Sequence, residues 1–109
     1  MKETVLIYLK RNNQYLLMLR NKKIGDINKG KYIGIGGHIE NGESSDDAVI
    51  RETFEETSLI LNSFKFRARL TFINDDYSEI MNLYTSDDFS GEVDFGIIEK
   101  GNVRVFASI

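Results

Sequence analysis

One stretch of this 109-residue chain changes the period of its hydrophobic pattern. Within residues 43–59, Ile50, Phe54 and Thr57 fall on one side at helical spacing. Ser44 or Ser45 supplies a cap, and Asp47 completes a Ser-x-x-Asp capping box for Ser44. Everything else reads as strand or turn. A single helix set between runs of strands is an α+β pattern, and it excludes a series of βαβ units.

The strands follow from local pattern. Residues 4–9 and 15–19 are apolar runs around the polar turn Arg11-Asn12-Asn13, a β-hairpin signature. Neither run alternates cleanly, so both faces are expected to be covered. Residues 21–31 form a Lys-rich loop, and residues 32–35 a short strand running into the turn-forming pair Gly36-Gly37. Phe64, Phe66, Ala68, Leu70 and Phe72 then alternate with Lys65, Arg67, Arg69 and Thr71, as in a half-buried strand. A turn at Asn74-Asp75-Asp76 leads to a strand over 79–85, a loop over 86–91 and a last strand over 103–106. With no repeat or linker, residues 1–109 read as one domain.

Composition removes several kinds of function. Without cysteine there is no disulfide, thiolate metal site or thiol nucleophile. A net charge of −3 gives no broad basic footprint for duplex nucleic acid. No apolar run approaches the roughly 20 residues of a membrane helix, and the start lacks a signal-peptide pattern. A soluble, cytoplasmic protein is the expectation.

The chemistry concentrates in and before the helix. At about 100° per residue, Glu52, Glu55 and Glu56 share one arc, opposite Ile50, Phe54 and Thr57. Glutamates three and four apart repel one another, and a divalent cation reverses the sign. Hard cations such as Mg2+ or Mn2+ take such oxygen ligands. A plain solvated acidic face usually interleaves lysines, yet none occurs between Asp46 and Ser58. Arg51, the one base there, is suited to hold a carboxylate in a ligand geometry. Gly36-Gly37 lets backbone approach a ligand or take positive φ, and its N–H groups with the helix start would cradle phosphate.

Gly37, five residues, Glu43, seven residues, Arg51-Glu52, two residues and Glu55-Glu56 together resemble the Nudix box. That box marks hydrolases of nucleoside diphosphates linked to another group. The lead-in from Asn28 to Gly37 and the flanking strands resemble the MutT-like branch, over about residues 3–106. The resemblance implies an α/β/α sandwich with a mixed central sheet. Two positions depart: Thr53 stands where the family has an aliphatic residue, and Ser58 where it has glycine. Thr53 is expected at the flank of the buried face. Ser58 is expected to close the helix without glycine's easy left-handed conformation.

The resemblance also assigns roles. Glu52, Glu55, Glu56 and the Gly36 carbonyl would hold Mg2+ or Mn2+, and water would attack a phosphorus of the diphosphate linkage. A nucleoside triphosphate, including an oxidised purine one, would give a monophosphate and pyrophosphate. Glu43 would orient Arg51 or bind metal-bound water, and Glu52 is the first choice for general base. Gly37 and His38 would meet phosphate, although an exposed loop histidine is an equal reading for His38. Lys23, Ile33 and Phe72 occupy places that serve the nucleobase in the MutT-like branch, and Phe72 is equally a core residue.

Relatives of this kind usually continue into a second helix, whereas this sequence ends three residues after its last strand. Glu99 or Lys100 would stand at an outer metal position, and Val105 where an aromatic residue is usual. An uncovered sheet face would favour a homodimer through the C-terminal half. The partners implied are therefore a small nucleotide and a second copy, with no membrane. A non-catalytic nucleotide-binding module is the alternative, as are ADP-sugars, dinucleotides and capped RNA within the enzyme reading.

Overall fold

A computed structural model describes residues 1–20, 31–93 and 103–107. The order of elements is β1 (Lys2–Arg11), β2 (Gln14–Arg20), β3 (Lys31–Ile33), β4 (Ile35–His38), α1 (Ser45–Thr57), β5 (Ile60–Ile73), β6 (Ser78–Ser90) and β7 (Val103–Ala107). The strands form one branched sheet along β3-β2-β1-β6-β5, with β4 against β1 and β7 against β2. The β1/β6 pairing is parallel and the others are antiparallel, so the sheet is mixed as expected.

Strand β1 organises the molecule. Its far end pairs with β2, Leu9 opposite Leu16, through a turn where Asn12 and Asn13 both take positive φ. Its near end pairs on the same edge with β4, Val5 opposite Gly37 and Leu6 opposite Gly36. Its other edge pairs with β6 from Lys2 opposite Glu79 to Leu9 opposite Ser86. Val5, Ile7 and Leu9 are buried in the core with Leu16, Met18, Ile35, Ala48, Val49, Leu59 and Tyr84. The intervening Leu6 and Tyr8 are half-buried.

Three expectations are corrected. Strand β6 extends through Ser90, so residues 86–90 are not loop. Polar cross-strand bonds hold that extension: Asn62 donates to Asp88 and Ser90, and Ser63 to Asp88. Gly36-Gly37 belongs to β4, and the positive-φ glycines among the described residues are Gly42 and Gly91. Finally, the apolar alternation of β5 does not make it half-buried, because Phe66, Leu70 and Phe72 are all exposed. Tyr84 still gathers Phe64 and Phe66 edge-on, each with ring centroids 5.6 Å away.

Among the described residues, no helix is long and apolar enough to cross a membrane.

Candidate active site

Both ends of α1 are fixed by its own sequence. Ser44 Oγ accepts the Asp47 N–H at 3.0 Å, as the capping box requires. At the other end Ser58 takes the left-handed conformation, φ 66°, and donates its N–H to the Phe54 carbonyl. The position normally given to glycine keeps the glycine geometry with a serine.

The rotation of the helix differs from the expected one. Its buried residues are Ala48, Val49, Thr53 and Thr57, while Phe54 is 53% exposed and Ile50 is exposed too. Thr53 lies in the buried face rather than on its flank. Its hydroxyl donates to the Val49 carbonyl at 2.7 Å, and that of Thr57 donates to Thr53 at 2.5 Å. Back-bonding satisfies each hydroxyl inside the helix, so two threonines enter the core without an orphaned polar group. Tyr84, which sequence reasoning missed, ties down the N-terminal turn. Its hydroxyl lies 2.5 Å from Ser45 Oγ and donates to Asp46 Oδ1 at 2.7 Å. Burial pushes that hydroxyl up to about 12. Its place after Ile80, Met81 and Leu83 in β6 was the available signal.

This rotation turns Glu52 against β4. Its side chain is 13% exposed and that of Glu55 56%. Glu56 is partly buried, with Oε2 shut off from solvent. A Cβ on Gly37 would stand 2.5 Å from the Glu52 carboxyl carbon. On Gly36 it would stand 2.1 Å from the Val5 carbonyl oxygen. Both glycines are therefore needed for close approach and not for a turn.

Arg51 joins the pieces. Nε and Nη2 donate to the two oxygens of Glu43 at 2.7 and 3.0 Å. Nη1 donates to Glu52 at 2.9 Å and to Glu55 at 3.1 Å, and Nη2 also reaches the His38 carbonyl at 3.0 Å. Glu43 in turn accepts the Glu40 N–H at 3.1 Å. Glu40, also missed, lies 3.6 Å from Arg51 Nη1.

The two carboxylates on this guanidinium titrate in opposite directions. Arg51 above all, with the Glu40 N–H, holds Glu43 below its ordinary value. Burial raises Glu52, and Arg51 opposes that rise without cancelling it. Arg51 itself is raised, chiefly by its bond to Glu43. A half-buried carboxylate that resists ionisation fits a cation, which supplies the missing charge. As arranged, no three carboxylate or imidazole groups among the described residues close on one point, because the guanidinium stands among them.

The structure thus brings together Glu43, Arg51, Glu52, Glu55, Gly37 and the His38 backbone. Glu56 lies on the same helix. Phe72 is placed elsewhere, 46% exposed on β5. Pairing puts His38 beside Thr4, Thr4 beside Met81 and Met81 beside Leu70. Those residues and Phe72 share the sheet face away from α1. Lys23 and Glu99 lie outside the described residues.

Comparison with known proteins agrees with this geometry. The NUDIX domain family model matches residues 2–105. A MutT NUDIX hydrolase from Burkholderia pseudomallei has the same fold at 20% identity and a TM-score of 0.79, covering 97% of this chain and 80% of that one. A MutT protein from Bacillus halodurans matches at 17% identity and 0.82, covering 99% and 69%. An ADP compounds hydrolase matches at 25% identity and 0.75, covering 98% and 57%. A helix that turns a half-buried glutamate onto a glycine strand, with an arginine bridging Glu43 to Glu55, lies within the residues that the family model matches: the protein belongs to the Nudix hydrolase family.

Proposed function

We propose that the chain hydrolyses the diphosphate linkage of nucleoside triphosphates in the cytoplasmic pool, oxidised purine forms included, to a monophosphate and pyrophosphate. The observation that supports this most is the Arg51 hub, which gathers Glu43, Glu52 and Glu55 around one guanidinium.

Glu52, Glu55, Glu56 and the Gly36 carbonyl would hold Mg2+ or Mn2+. The bound cation supplies charge neutralisation at phosphate and an acidified water. Glu52 and Glu55 would then turn from Arg51 Nη1, while Glu43 keeps the guanidinium through Nε and Nη2. Glu43 is suited to that service because its bonds to Arg51 favour its ionised form. Glu52 is the first choice for general base in this reading. Gly37 lets the Glu52 carboxylate lie against the strand beside the phosphates, and His38 would meet them from the strand end. Phe72 would stack on the base from the face it shares with His38, Met81 and Leu70. Lys23 is assigned to the same end of the substrate.

The test is pyrophosphate or phosphate release from a panel of nucleotides with Mg2+. Pyrophosphate from a nucleoside triphosphate is expected. Turnover of ADP-linked compounds alone would favour the second reading, which the 25% identity to an ADP compounds hydrolase supports. Binding without turnover of any nucleotide would leave a sensing module.

A further inference from the structure

We propose that the outer edge of β5 pairs with the same edge of a second copy, antiparallel about a two-fold axis near Leu70 and Thr71. Among the described residues β5 ends the strand order, and β6 is its one partner. An unpaired edge is a template for another strand, and proteins blunt such edges with bulges and charges.

The two halves of β5 differ in this respect. Register shifts interrupt its first half between Leu61 and Ser63, Ser63 and Lys65, and Phe66 and Ala68. Lys65, Arg67 and Arg69 stand along or just beyond that interrupted part, all exposed. From Ala68 to Ile73 the pairing with β6 is one-to-one. Leu70-Thr71-Phe72-Ile73 carries no charge, favours strand, and is exposed throughout.

Charge selects the occupant and its direction. Residues 60–73 contain three bases and no acid, and the turn that follows carries Asp75 and Asp76, both exposed. An antiparallel copy lays the basic half of each strand beside the acidic turn of the other. About an axis at Thr71, Lys65 and Arg67 of one copy come to the end of the strand where the other copy's turn carries Asp75 and Asp76. A parallel copy would set base against base. The antiparallel arrangement also places the Leu70 and Phe72 side chains of both copies on one continuous face.

Sedimentation velocity at low salt, over roughly 10–500 μM, tests this as a weak association. A reversible dimer that weakens several-fold in 1 M salt is expected. Asp75→Lys combined with Asp76→Lys should be a folded monomer by circular dichroism. Adding Lys65→Asp and Arg67→Asp should restore the dimer. A wild-type monomer over the whole range would overturn the proposal. So would a dimer indifferent to the first pair of substitutions, or a folded charge-swapped chain that stays monomeric.

Discussion

Arg51 and the far end of β5 sit at opposite extremes of constraint. Around Arg51, four carboxylates and a backbone carbonyl hold one side chain. At the end of β5, Phe72, Ile73 and Leu70 stand exposed with freedom to meet something else. Under the proposed function the contrast separates two tasks. Groups that stabilise developing charge must be preorganised, whereas groups that receive a nucleobase or a partner must stay reachable.

Breaking the constrained end should have the largest effect. Glu52→Gln or Glu56→Gln should lower kcat about 10³-fold, the equivalent of several kcal/mol of charge stabilisation. Isothermal titration with Mn2+ should show the loss of metal affinity alongside it. Near-wild-type turnover in both would remove the metal assignment.

The open end should respond through substrate affinity. Phe72→Ala should raise KM about tenfold, in line with roughly 1–3 kcal/mol for stacking on one base. Its thermal midpoint should hardly move, since the ring is already exposed. A fall in kcat at constant KM would place the base elsewhere.

Within α1 the comparison becomes one of stability. Val49→Ala should cost about 2 kcal/mol, because Val49 is fully buried. Phe54→Ala should cost less than about 1 kcal/mol despite removing more atoms. Urea unfolding of the two variants decides which face of the helix is inward.

The smallest effect is a pH dependence. Burial raises Glu52, so its ionised form opposes folding. The favourable contribution of its neutral form is present below the ordinary carboxylate value and is lost as pH rises through the raised one. Metal-free Glu52→Gln should therefore melt a few degrees higher than wild type at pH 8, with the gap closing toward about pH 4. Glu43 runs the other way. Its pKa is lowered, so its contribution holds above the ordinary range and disappears on acidification.

These predictions mark what the sequence could convey. Spacing located α1, its Ser44 cap and the Asn12-Asn13 turn, because each depends on residues a few positions apart. The rotation of α1 was not legible. Phenylalanine outranks threonine in hydrophobicity, and only the back-bonds to Val49 and Thr53 make a buried threonine acceptable. Gly36-Gly37 read as a turn because its strand partners, Leu6 and Val5, are about thirty residues away. Likewise, residues 86–90 read as loop, because the Asn62 and Ser63 side chains that meet Asp88 and Ser90 lie far off in sequence. The grouping of Glu43, Arg51, Glu52 and Glu55 was legible as a pattern. The sharing of one guanidinium among them required three dimensions.

The parallel alliance of β1 with β6 carries a consequence for how the chain is born. Lys2 pairs with Glu79 and Leu9 with Ser86. At a synthesis rate of about 5–20 residues per second, β1 waits several seconds for that neighbour to be made. The β1/β2 hairpin can close at once, but the central seam of the sheet is among the last to form. Closing so distant a contact is slow. Newly made chains therefore hold Val5, Ile7 and Leu9 without β6 beside them until residues 79–86 have been made.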